Sequence, residues 1–460
     1  MSPVMYPRPA PAKTRTSGAR ELALVLYFVN KETEPAQARG NGALVSKVST
    51  GGSDGTGERE TRPARIVWIT LALSLGPAVT LGLVRFAYAL LLPAMRDDLG
   101  WSYALAGGIN TANAAGYLAG ALLAAPITHR IGVRRSFVTA LLVAALALLA
   151  SGLPTAYAAH VLLRIVAGVG GAVAFVSGGV LAAHATSGRP GEPSASTVLG
   201  LYYGGGGVGI LVPGLAVPAL LEFGPVEPAA WRIGWVCIGA VSLLALVVAG
   251  IAARRLPESI STTDEEEASN GGQVSPVWSL APALAAYFLF GTGYIAYMTF
   301  VVAFLRDRGA EALEISIFWA LLGAAAMVSA PLWGPVIEGF RGGRALATVT
   351  AVVAAGAILP LVSDGFLVAL ASAVLFGGSF LAVVTATTAL VRRSLPARVW
   401  PTGIAAFTIL FATGQCVGPI VSGAVSDSFG GLKTGLSLSA IILVAGALVA
   451  LAQREPEQGA

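Results

Sequence analysis

Apolar residues in this chain fall into long blocks divided by short polar gaps. Between residues 66 and 452 the blocks run to 18–28 residues each. About 20 apolar residues is the length that carries an α-helix across a bilayer core. Lipid offers no partner to an open backbone, so such a block closes its hydrogen bonds within itself as a helix. The pattern predicts twelve spans, over 66–92, 104–127, 136–153, 156–183, 195–221, 231–253, 279–305, 313–336, 344–362, 366–390, 401–424 and 433–452. The fold class is therefore an all-α membrane protein.

Two gaps are long. Residues 1–64 are rich in Pro, Gly, Ser, Thr and charge, and their longest apolar run, Leu22–Val29, is too short to span. Polar sequence follows it, unlike the layout of a cleaved signal peptide. These residues read as a disordered cytoplasmic tail. The second gap, 254–278, holds Arg254, Arg255, the acidic run Asp264–Glu267, Gly271 and Gly272. It reads as a flexible cytoplasmic linker between six-helix bundles over 65–253 and 279–453, with a short cytoplasmic tail at 454–460.

Composition agrees with this pattern. Hydrophobic residues make up 55% of the chain and charged residues 12%, against roughly 25% charged in a soluble domain. The net charge of +5 is explained by topology and needs no nucleic-acid partner. Even-numbered gaps carry eleven Arg and odd-numbered gaps carry five Arg or Lys. Cationic residues gather on the cytoplasmic face, so the even gaps and both termini are expected in the cytoplasm, with the chain in the cytoplasmic membrane. Cys237 and Cys416 both fall in apolar spans and form no disulfide framework. No metal or cofactor motif is present, no phosphate-binding loop supports ATP hydrolysis, and no nucleophile–base pair supports an intramembrane enzyme. A monomer in the bilayer, with a small-molecule solute as its partner, is the expectation.

The halves repeat each other at an offset near 209, where Tyr88 matches Tyr297 and 126–135 matches 335–344. Parallel six-helix repeats around a midplane site are a transporter architecture. Here the chain resembles the major facilitator superfamily over residues 66–452. Its first span, from Gly82 through Arg85, Phe86, Tyr88 and Pro93 to Met95, is similar to the YbfB/YjiJ-type branch, as are Gly107, Gly116, Tyr117 and Gly120 in the second. Arg164 opens a run similar to the family's Arg-x-x-Gln-Gly motif, with Ala167 in place of Gln. The 129–135 segment resembles the family's gating loop, with Arg130, Gly132 and Arg134 kept and His129 at the acidic position. Its second-half counterpart holds Glu338 and Arg341. The resemblance implies alternating access and leaves the substrate open.

Charge within a span is costly and marks a function or a partner. Arg85 and Arg164 sit about seven and eight residues from the outer ends of their predicted spans, while no Asp or Glu lies within the interior of any span. An arginine stays protonated and seeks a carboxylate, a phosphate or carbonyls. The missing counter-ion points to an anionic solute. Tyr88, three residues after Arg85, is expected on the same helix face. Asn110, Asn113 and Tyr117 make a polar stripe on span two, and Tyr287, Tyr294 and Tyr297 share a face of span seven. Gln415 is a buried amide in span eleven, and His160 is a candidate proton-coupling group one turn before Arg164. The bland alternatives are snorkelling for Arg85, shared architecture for Arg164 and helix–helix hydrogen bonding for the stripe.

The first functional reading is a secondary transporter for a small anionic or polar organic solute. The alternative is a proton-coupled exporter of hydrophobic or multiple drugs, favoured by the Gly-rich run 204–207 in span five and opposed by the missing membrane carboxylates. A sensor that binds its ligand without moving it is a third.

Overall fold

The computed structural model describes residues 55–454, apart from 188, 190, 225–229 and 257–274. The expected tail up to residue 54, most of the linker and the last six residues lie outside the described residues. The described chain folds into twelve long helices. We label as α1 the helical segments Gly55–Leu73, Leu75–Pro77, Ala78–Phe86 and Tyr88–Leu99. Then follow α2 (Tyr103–Ile131), α3 (Val133–Ala150), α4 (Tyr157–Ala183), α5 (Ala195–Phe223) and α6 (Ala230–Arg254). The second bundle holds α7 (Ala281–Asp307), α8 (Ala312–Gly339), α9 (Arg344–Val362), α10 (Phe366–Ser394), α11 (Trp400–Ser428) and α12 (Leu432–Leu451).

Eleven described helices are long and apolar enough to cross a membrane. The exception is α2, whose 29 residues include Asn110, Thr111, Asn113 and many Gly and Ala in place of Leu, Ile and Val. α1 differs from expectation at both ends. It begins at Gly55, inside the expected tail, and it ends at Leu99, seven residues past 92. The far extension carries the polar turn Arg96–Asp98, which hydropathy cannot register as helix. Arg85 therefore lies fourteen residues from the end of its helix. Large apolar side chains face outward on α6 and α12, where Leu244, Val247, Ile441 and Leu448 are exposed. Those faces suit lipid contact.

α1 is not a regular helix. Pro77 has no N–H to give, and its ring crowds the preceding turn, so the hydrogen-bond ladder is displaced there. From Ala78 to Phe86 the chain runs as π-helix, ending with the Ala87 N–H donating to the Gly82 carbonyl at 2.9 Å, five residues back. Gly82 packs on Gly209 of α5 so closely that a Cβ on it would lie 2.0 Å from the Gly209 carbonyl carbon. Only glycine permits that crossing, and it pins the π segment against α5.

The two bundles meet along two seams, α2 with α11 and α5 with α8. Small residues bring the backbones together. A Cβ on Gly107 would sit 2.3 Å from the Pro419 carbonyl oxygen, and one on Gly323 would sit 2.7 Å from the Leu211 nitrogen. Each seam ends in a carboxylate from one bundle set on the first turn of a helix of the other. Asp427, at the end of α11, accepts from the backbone N–H groups of Tyr103 at 2.9 Å and Ala104 at 2.8 Å. Glu222, at the end of α5, accepts from Ala312 N–H at the start of α8 at 3.2 Å. Helix N-termini have free donors and positive dipole ends, so both contacts are favourable. Since α5 and α8 stand to α11 and α2 as repeat counterparts, the fold uses the same latch twice. Tyr103 also donates to Asp307 at 3.0 Å, and the Arg96 guanidinium lies 3.9 Å from the Tyr103 ring centroid. These contacts gather where Gly100 joins α1 to α2, and the bundles are pinched shut there.

Candidate functional site

Four residues predicted from sequence converge in the middle of the bundle. Arg85 projects from the π segment, 5% exposed, with its carbon Cζ 5.1 Å from the ring centroid of Tyr117 on α2. Arg85 also lies near enough to Tyr294 on α7 to act on it electrostatically. Tyr294 accepts in turn from the Gln415 amide on α11. Arg85 Nη2 is buried and has no hydrogen-bond partner. The Tyr294 oxygen thus already accepts from Gln415, which leaves its own O–H to find an acceptor. The cluster is rich in donors and short of acceptors. Among the described residues no Asp or Glu is buried, so no side-chain carboxylate neutralises it from within.

Helical registers aim these groups inward. On α2, Tyr117 follows Asn110 and Asn113 on one face, while Ala115 and Leu123 are exposed on the other. On α11, Phe411 and Gln415 lie one turn apart, roughly opposite the exposed stripe Thr413, Val417 and Ile420. Cys416 is partly buried beside Gln415, and its carbonyl accepts from Thr111 at 2.7 Å.

Other predicted residues take supporting places. Arg164 is 1% exposed, stands 5.4 Å from the Tyr88 ring centroid and 5.3 Å from that of Trp235, and has three guanidinium nitrogens without a hydrogen-bond partner. Asn113 donates to the Arg164 carbonyl at 3.1 Å, which ties α2 to α4. Tyr88 gives its hydroxyl to the Ala106 carbonyl at 2.8 Å and stacks on Trp235. It thus sits with Arg164, apart from the contacts of Arg85, contrary to the shared face expected from α-helical spacing. The π segment changes the angular spacing between the two positions. Asn110 donates to Thr299 Oγ1 at 2.5 Å, a bond between the bundles. Tyr297 turns toward α9 and α10, bonded to Ser372 at 2.6 Å and stacked on Phe376. His160 is boxed by Trp101 and Trp231, with Nε2 3.0 Å from the Pro154 carbonyl.

The loop candidates lie at the opposite end from Gly100. His129 and Arg130 are exposed, and Arg134 is partly buried and partnered. Gly132 joins α2 to α3 at φ 86° and ψ 151°, a conformation open to glycine. Glu338 and Arg341 are exposed, while the Glu338 carbonyl, with those of Ile337 and Phe340, accepts from Arg393 of α10.

Several site residues escaped the sequence reading. Asp427 and Glu222 fall at span ends, where a carboxylate is ordinary. Phe175, Tyr203 and Phe411 are aromatic residues in apolar spans, and nothing in their spacing separates cavity from core. The surface cleft lined by Arg308, Glu314 and Asp364 at the Gly100 end is remote from this chemistry and is bridged by its own Arg308–Asp364 ion pair.

Two six-helix bundles, pinched together at one end over a buried polar cluster, define a membrane transporter. The family described as "Uncharacterised MFS-type transporter YbfB" matches residues 77–451, and the chain belongs to this family of the major facilitator superfamily. Among solved structures, a mutant of the nucleoside transporter NupG aligns with a TM-score of 0.67 and 13% identity, covering 84% of this chain and 99% of that one. A bacterial homologue of the human lysosomal transporter Spinster, in an inward-facing and occupied conformation, aligns with a TM-score of 0.64 and 18% identity, covering 84% and 96%. At these identities the likeness shows the fold alone. No curated protein matches this chain by sequence.

Proposed function

We propose that this protein moves a small organic anion across the cytoplasmic membrane by alternating access, with Arg85 as the anion's principal contact. The observation that carries the reading is the Arg85 guanidinium, buried at mid-bundle with an unpartnered Nη2 and, among the described residues, no buried carboxylate to neutralise it. A buried, unpaired charge is expensive. An incoming carboxylate or phosphate meets that need through the guanidinium fork and the Tyr294 hydroxyl. Cationic drugs call for a membrane carboxylate, so the anion reading outweighs the drug-exporter alternative.

The excess of Arg in the even-numbered gaps sets those gaps and both termini in the cytoplasm. The pinched Gly100 end then faces outward. Tyr117, Tyr294 and Gln415 act with Arg85 as contacts. Arg164, Tyr88 and Asn113 brace the walls, and Asn110, Asp427 and Glu222 join the halves in this state. His129, Arg130, Arg134, Glu338 and Arg341 would meet only when the opposite end closes.

A thermal-shift screen of the purified protein against organic acids, phosphates, amino acids and lipophilic cations tests the reading. A ligand that binds only the folded state raises the midpoint by mass action. Organic anions should stabilise the protein and should fail to stabilise Arg85→Ala. Stabilisation by lipophilic cations alone would overturn the reading.

A further inference from the structure

The walls around Arg85 carry more information than its charge. On the second bundle, aromatic rings form a nearly parallel stack. Tyr287, Phe290 and Tyr294 of α7 lie with ring planes within 14° of Phe411 of α11, at centroid distances of 4.7, 5.8 and 5.5 Å. Tyr294 continues the stack to Phe380 of α10 at 6.1 Å and 17°. Such a stack fixes each ring's orientation, because rotating one collides with the next. Most of its members are sealed, but Phe411 is partly open, on the face of α11 that also carries Gln415.

The first bundle offers a second set of rings. Tyr117, Phe175 and Tyr203 are all partly open, with Phe175 6.5 Å from Tyr117 and 5.3 Å from Tyr203. No hydrogen bond engages the Tyr117 or Tyr203 hydroxyl within the described residues. Arg85 reaches both sets, over the Tyr117 ring of the first and an electrostatic neighbour of Tyr294 in the second. Aliphatic side chains would fill a core equally well. Four partly open rings, drawn from both bundles around one uncompensated guanidinium, instead give the region of Arg85 aromatic surroundings.

Building on the proposed anion transport, we infer that the substrate is a planar aromatic carboxylate. Its carboxylate pairs with Arg85 Nη2 and takes the Tyr294 O–H. Its ring lies between Phe411 and the Tyr117–Phe175–Tyr203 wall. Ring faces prefer offset-stacked or edge-to-face partners, each adding to what burial alone contributes. A saturated ring of similar volume forfeits that addition.

Equilibrium binding to the purified full chain, with four probes, separates the terms. Benzoate and 1-naphthoate carry both features, cyclohexanecarboxylate keeps only the charge, and benzamide keeps only the ring. The aromatic acids should bind about tenfold or more tightly than cyclohexanecarboxylate, and benzamide should not bind measurably. Phe411→Leu should erase the preference for aromatic acids over cyclohexanecarboxylate. Equal binding of benzoate and cyclohexanecarboxylate would overturn the aromatic assignment and leave anion transport standing. Binding of benzamide as tightly as benzoate, or of no carboxylate at all, would overturn the anion reading as well. If Phe411→Leu unfolds, Phe411→Met, which keeps the volume, carries the same expectation.

Discussion

A guanidinium cannot shed its proton inside a protein, so burial acts on Arg85 and Arg164 alike, yet their surroundings differ. Arg85 borders partly open rings and keeps a free donor; Arg164 is sealed beneath Tyr88 and Trp235. Truncating Arg85 should therefore remove function while sparing the fold. Hydrogen bonds to charged groups contribute about 1.5–3 kcal/mol, so Arg85→Ala should weaken anion binding by about ten- to a hundredfold, read by isothermal titration. Arg85→Lys keeps the charge without the fork and should fall between the two. Tyr294→Phe removes one neutral donor, at about 0.5–1.5 kcal/mol, and should weaken binding two- to tenfold with an unchanged melting midpoint. For Arg164 the expectation inverts. Replacing a buried charge by an apolar residue of similar size is often neutral or stabilising, so Arg164→Met should hold or raise the midpoint. A fall of many degrees would show that its ring contacts outweigh its burial cost. The sequence disclosed both arginines and the lack of a buried carboxylate. It did not disclose their difference, because hydropathy marks depth along a helix and not which neighbour seals a side chain.

Among the helices, α1 and the two seams matter most. Arg85 sits within a π segment, whose weaker hydrogen-bond geometry makes it a natural place for α1 to adjust in the proposed transport cycle. Pro77 was visible in the sequence, but the π register depends on the α5 backbone at Gly209, a tertiary contact beyond local pattern. The latches were hidden for a similar reason. Asp427 and Glu222 lie more than 80 residues from the amides they cap, and spacing says nothing across that separation. An anion at a helix N-terminus contributes about 0.3–1 kcal/mol when exposed. Asp427→Asn should therefore shift the balance away from the state closed at the Gly100 end by about two- to fivefold, read as a broadened distance distribution between spin labels across the α2–α11 seam. Gly107→Val should shift it further, because its side chain would occupy the space of the Pro419 carbonyl. A Gly107→Val protein that closes that end normally would refute the role given to the seam.

At the scale of the whole molecule, the twelve helices were legible from block lengths, and their division into two bundles from the long gap at 254–278 and the internal repeat. Lipid permits so few structures that a 20-residue apolar run leaves little choice. The ends were less legible, since the α1 helix continues through Arg96–Asp98 on polar residues that hydropathy assigns to a gap. The proposed substrate was legible only as a charge, because the shape inferred for it rests on rings drawn from α2, α4, α5, α7 and α11, which assemble only in three dimensions. The proposal that unites these scales is an uncompensated Arg85 at the centre of a bundle that closes at one end at a time. Counterflow in proteoliposomes tests that claim most directly: vesicles preloaded with unlabelled benzoate are diluted into a trace of labelled benzoate. The account predicts transient accumulation of label in vesicles bearing the unaltered protein and none in vesicles bearing folded Arg85→Ala at equal density. Equal accumulation in both would contradict it.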